Sequence, residues 1–136
     1  MPTINAFGKE DLSHITDDDY IKLFSKFNSL IPSFIELVHF NKKKPENNNM
    51  YISNIKSPYL MLYDGEKWKM KNKDDTIDNL YDDKCGILMN KYEVLKEHLD
   101  EKVMTKFTRF IDKHEEIKNN VSEDIKLILY NNKKNI

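Results

Sequence analysis

The chain has 136 residues, 39% hydrophobic and 33% charged, with a formal net charge of −1. That length fits one domain able to bury a core without staples, and the 11% of aromatic residues argues against disorder. A single cysteine, Cys85, excludes an internal disulfide and a multi-cysteine zinc site. With no run of about 18 apolar residues and no basic-then-apolar leader, neither a membrane span nor secretion is expected.

Thr16 with Asp19 three residues on reads as a capping box, and Tyr20, Leu23, Phe24 and Phe27 recur behind it at helical spacing. The spacing predicts a helix over 17–28 with one aromatic face. The upstream stretch GKEDLSHI reads as a short helical turn after Gly8 or as an ordered arm. Pro32, tolerated in a first helical turn, precedes Phe34, Ile35, Leu37 and Val38, so a second helix is expected over about 32–40.

Residues 41–49, NKKKPENNN, contain no apolar side chain and hold a proline, which predicts a loop. MYISN is a short strand candidate. In YLMLYDGEKWKMK, Asp64-Gly65 separates two runs of β-formers and supplies the positive φ of a tight turn, the signature of a hairpin. In its second arm Trp68 and Met70 alternate with Lys67, Lys69 and Lys71. That pattern predicts a buried tryptophan and a wet, basic face.

Beyond Asp74-Asp75, apolar positions from Ile77 to Ile111 recur at three- and four-residue steps, predicting one long helix or two, with a kink or break near Cys85-Gly86. Leu88, Tyr92, Leu95 and Leu99 have heptad-like spacing suited to packing on the domain or on a second copy. Ser122 with Glu123 and Asp124 reads as the start of a final helix that frays into NNKKNI. The fold class expected is α+β: N-terminal helices and a long C-terminal helical region packed on a small antiparallel hairpin sheet. Residues 1–118 form its body, and the C-terminal helix and tail of 119–136 join the same domain.

Charge is uneven along the chain. Residues 1–40 hold three Lys against six acids, 41–73 eight Lys against three acids, and 74–136 eleven basic against fourteen acidic residues. The loop and hairpin are thus a local basic region, with Lys42, Lys43, Lys44, Lys67, Lys69 and Lys71 as candidate nucleic-acid contacts and Tyr51, Tyr59, Tyr63 or Trp68 as stacking rings. Twenty-one of the 22 basic residues are lysine, so bidentate reading of bases, an arginine speciality, is disfavoured. Such binding is expected to be weak, salt-sensitive and indifferent to sequence. The ordinary reading of these lysines is the solvent side of a sheet.

His39 with Asn41 and the cluster Asn47 to Asn49 invites comparison with a metal-dependent nuclease, whose histidine activates water beside one divalent cation. Against it, His39 ends an apolar helical run rather than lying on a strand. The competing reading makes His39 a helix C-terminal cation favoured by the dipole, with Asn41, Pro45, Asn47 and Asn49 fixing a structural loop by side-chain-to-backbone bonds. His14, His98 and His114 lack ligand spacing, Asp17 to Asp19 suit a helix N-terminus, and Asp82-Asp83 lack the form of a calcium loop. Cys85 has no histidine partner and reads as a buried or partly buried thiol. No metal, cofactor or catalytic residue is expected.

The linked segments FGKEDLSHITDDDY, IPSFIELVHFNKKKPENNNMYISNIKSPYLMLYDGEKW and IDNLYDDKCGIL together resemble a domain recurring in proteins of giant DNA viruses of the mimivirus-like group. There the domain is often C-terminal to a Cys/His zinc-finger-like segment and a coiled coil. The resemblance covers about residues 4–95 and supplies no catalytic residue. It implies a non-enzymatic protein-interaction or oligomerisation module, with nucleic-acid association as the alternative. It also implies a viral factory in the host cytoplasm, or the virion, as its location.

Overall fold

Helix α1, Asp17–Phe24, begins where the capping box places it: the Thr16 hydroxyl accepts from the Asp19 amide at 3.1 Å and the Asp19 carboxylate accepts from the Thr16 amide at 3.0 Å. Helix α2, Leu30–His39, follows, and its apolar stripe of Leu30, Ile31, Phe34, Ile35 and Val38 has no exposed surface. The computed structural model describes residues 3–133.

Strands β1 (Met50–Tyr51), β2 (Tyr59–Tyr63) and β3 (Trp68–Asn72) form one antiparallel sheet in the order β1-β2-β3. The hairpin between β2 and β3 is looser than the tight Asp-Gly turn expected. Tyr63 pairs with Trp68, leaving residues 64–67 as the connection, with Gly65 at φ 103°. Asp64 shapes that loop by accepting from the amides of Glu66 at 2.8 Å and Lys67 at 2.9 Å.

Helix α3, Lys73–Leu95, starts on the Asn72 side chain, which accepts from the Asp75 amide at 2.9 Å. It runs through Gly86 without the expected break. Gly86 is exposed, so a local loss of helix propensity of roughly 1 kcal/mol is outweighed by the core residues on either side, Tyr81, Cys85 and Leu88. The break comes instead at residues 96–100, where Asp100 caps helix α4, Glu101–Asn131, by accepting from the Val103 amide at 2.9 Å. No helix starts at Ser122. Its hydroxyl donates back to the Asn119 carbonyl at 3.4 Å inside α4, and Ile117, Val121, Ile125 and Leu129 form one unbroken buried stripe across it. The last residues of the expected fraying tail, 134–136, lie outside the described residues.

The result is an α+β fold in which α3 and α4 contact the sheet and α1 and α2 pack against those two helices. Its aromatic centre joins three helices: Phe107 of α4 lies 4.8 Å from Phe24 of α1 and 4.7 Å from Tyr92 of α3, ring centroid to centroid. The heptad-like positions are used here. Leu88 and Leu95 are buried, and Leu99 is packed against the same core. The sheet is tied in through Met50, Ile52, Leu60 and Leu62, all buried, and the Ile52 amide donates to the Leu129 carbonyl of α4 at 3.3 Å.

Candidate functional site

Two features carry the polar and aromatic residues singled out in the sequence. The first is internal. The loop after α2 is polar in sequence yet buries Asn47, Asn48 and Asn49, and it clasps the N-terminal arm. Asn47 Oδ1 accepts from Asn5 Nδ2 and from the Asp11 amide, both at 2.9 Å, while its Nδ2 donates to the Asp11 carbonyl at 2.6 Å. Asn49 Nδ2 donates to the Asn5 carbonyl at 3.2 Å and to Glu10 Oε2 at 2.7 Å. Asn41 Oδ1 accepts from the Lys43 amide at 2.9 Å, and Pro45 opens a single 3-10 turn, Pro45–Asn47. The arm therefore takes no helical turn after Gly8. It is ordered by side chains of the loop.

His39 closes this cluster from α2 and has no exposed surface. Its Nδ1 lies 3.0 Å from both the Asn47 carbonyl and Asn49 Oδ1. Both are acceptors, so Nδ1 carries the proton, and Nε2, buried without a partner, carries the lone pair. Burial, with the nearby Lys84 ammonium second, pushes the imidazole pKa down to about 3. His39 is thus neutral, and the expected helix-terminal cation is corrected. A ring wholly enclosed, with its proton committed to two oxygens, is also ill placed to activate water. Among the described residues, no three His, Cys, Asp or Glu side chains are grouped as metal ligands would be.

Lys84 was not singled out in the sequence, although the apolar stripe of Ile77, Leu80, Tyr81 and Leu88 passes through its position. It is wholly buried on α3, with Nζ 3.9 Å from Glu10 Oε1 and 3.4 Å from Asp83 Oδ2. Burial depresses its pKa, and Glu10 and then Asp83 oppose that shift. Glu10 itself is enclosed, and its other oxygen accepts from the Gly8 amide at 2.8 Å. A second unforeseen lysine, Lys73, donates to the carbonyls of Asn54 at 3.3 Å and Ile55 at 2.9 Å, holding the loop between β1 and β2. Cys85 is buried, which pushes its thiol up to about 12.

The second feature is the sheet's other face, and here the expected sidedness is reversed. Cross-strand partners share a face, and Leu60 pairs with Lys71 while Leu62 pairs with Lys69. Lys69 and Lys71 therefore stand on the helix-facing side, at the outer margin of the sheet. Tyr51 pairs with Met61, Met61 with Met70, and Tyr63 with Trp68, which puts the rings and thioethers together on the side away from the helices. Trp68 lies 5.3 Å from Tyr51 and 5.5 Å from Tyr63, ring centroid to centroid. Tyr59 is 48% and Met70 64% exposed. The tryptophan is half-buried among its neighbours rather than in the core.

The six candidate lysines are not equivalent. Lys44 is held by Asp11 and Lys69 by Asp64, at 2.9 and 2.8 Å. Each pair holds its lysine pKa above the ordinary value and its carboxyl well below the usual range. Lys42 and Lys43 are exposed on the loop after α2, and Lys67 and Lys71 are exposed on the hairpin. No helix among the described residues is long and apolar enough to cross a membrane. No family model, curated protein or solved structure matches the chain.

Proposed function

We propose that the chain is a non-enzymatic protein-binding module whose contact surface is the outer face of its sheet. The observation that carries this reading is the distribution of apolar area. The heptad-like helical residues are spent inside the domain, whereas Tyr51, Tyr59, Met61, Tyr63, Trp68 and Met70 form one partly open patch. Aromatic and methionine side chains supply much contact area with adaptable packing, and such patches mark interaction sites. The enclosed His39 cluster supports a structural role for the loop, consistent with a module that presents a surface. The resemblance to a domain recurring in viral proteins fits a reusable binding unit.

The test compares two charge insertions in exposed apolar residues, Met70→Glu on the sheet and Val94→Glu on α3, both expected to fold as the parent does by circular dichroism. A partner captured by the parent chain is retained by the Val94 variant and lost by the Met70 variant. The converse pattern moves the contact surface to the helices and ends this reading.

Nucleic acid is the second reading, favoured by the exposed rings and by Lys67 and Lys71, which are exposed on the same hairpin but on the other side of β3. It requires binding of a thymidine oligonucleotide that quenches Trp68 and weakens steeply with salt.

A further inference from the structure

Among the described residues one edge of the sheet is closed and the other open. At the β1 edge the Ile52 amide donates to the Leu129 carbonyl of α4, and the arm caps the end of β2, the Phe7 amide donating to the Tyr63 carbonyl. At the β3 side the alternation of the ladder decides what is left. Asp64 N–H donates to the Lys67 carbonyl and Lys73 N–H to the Pro58 carbonyl. These bonds flank the ladder two residues out from the pairs Leu62–Lys69 and Leu60–Lys71. Lys69 and Lys71 therefore bond to β2, and Trp68 and Met70 turn their N–H and C=O groups outward.

Resting on the reading of this sheet as a protein-binding surface, we propose that the free edge of β3 accepts an extended acidic segment of a partner protein as a fourth antiparallel strand. The side-chain pattern specifies the guest. Residues opposite Trp68 and Met70 fall on the outer face and would be apolar, extending the aromatic patch. Residues opposite Lys69 and Lys71 fall on the other side; Asp64 already holds Lys69 at 2.8 Å, so Asp or Glu in the guest is specified by the exposed Lys71 and by the exposed Lys67 just before the strand. A second copy offers no carboxylate there, because an antiparallel β3–β3 pair centred on Met70 sets Lys71 against Lys69, which Asp64 already holds. The edge thus favours the complementary charge over its own kind. Backbone bonds supply the affinity and alternate side chains the selection.

The experiment titrates the full chain with a blocked eight-residue peptide alternating glutamate with valine and tyrosine, followed by Trp68 emission and by amide exchange of Trp68 and Met70. The expected result is an emission change together with slower exchange at those two amides. The peptide with lysine in place of glutamate gives neither change, and one N-methylated on its bonding amides gives no slowing. Lys67→Glu/Lys71→Glu weakens the acidic peptide by about tenfold. An emission change without amide protection overturns the added strand and leaves the face as the contact surface. A response to the thymidine oligonucleotide alone overturns both the strand and the protein-binding reading. No response to the acidic peptide overturns the strand, and the Met70 and Val94 variants then judge the face separately.

Discussion

Acid should loosen this protein through His39, and the size of the effect follows from its enclosure. The ring has no exposed surface and its folded pKa lies at about 3, against about 6.5 in an unfolded chain. A folded value below the unfolded one means that the unfolded state takes up the proton first. The stability lost grows as pH falls below about 6.5 and levels off only near the folded value. Between pH 7 and pH 5 this single group removes about 2 kcal/mol, approaching a slope of about 1.4 kcal/mol per pH unit. The measurement is urea unfolding of the parent and of His39→Gln at pH 7, 6 and 5. Glutamine keeps a donor for Asn47 and Asn49 but does not titrate, so the parent loses stability faster on acidification and the difference between the two proteins narrows. Parallel pH profiles would contradict a neutral, enclosed His39 and mean that the buried ring is protonated in the fold or reached by water.

Four further outcomes follow from the clasp, the buried Glu10–Lys84 pair and the glycines. Asn47→Ala removes three hydrogen bonds between the loop and the arm, and at about 1 kcal/mol each the variant loses about 3 kcal/mol in urea unfolding. Glu10→Ala costs about 3 kcal/mol and more than Lys84→Met. Lys84 would keep only Asp83, whereas Glu10 would keep Asn49 and the Gly8 amide, and the reverse order would show that the lysine is not charged in the fold. Gly86→Ala meets nothing within 4 Å and stabilises α3 by up to about 1 kcal/mol. Gly65→Ala forces a side chain onto φ 103° and against Ala6, and it costs about 1 kcal/mol or more. Thermal melts of the two glycine variants should move in opposite directions.

The helices were legible because their apolar positions repeat at three and four residues and because Thr16 and Asp19 state a cap outright. The same stripe could have disclosed Lys84, which occupies a core position between Tyr81 and Leu88. Asn47 and Asn49 offered no such signal, since their side-chain amides are satisfied by an N-terminal arm some 40 residues away in the chain. The sheet shows a different limit. Period-two alternation separates two faces but does not say which one meets the core. Trp68 and Met70 suggested that side for β3, yet β2 decides it through Leu60 and Leu62, and register then carries Lys69 and Lys71 along. On an edge strand a lysine can lie along the core side and still reach water with its ammonium. The heptad-like positions pack on the domain itself: Leu88 and Leu95 are buried, and Tyr92 lies against Phe24 and Phe107.

The most direct test of the sheet as the contact surface is a residue-by-residue map of backbone amide shifts in the full chain on adding the acidic alternating peptide or a captured partner. Contact through the sheet concentrates the changes at Tyr51, 59–63 and 68–72 and leaves the exposed surface of α3 around Val94 unmoved. Changes centred on Val94, with Trp68 and Met70 silent, would contradict that contact.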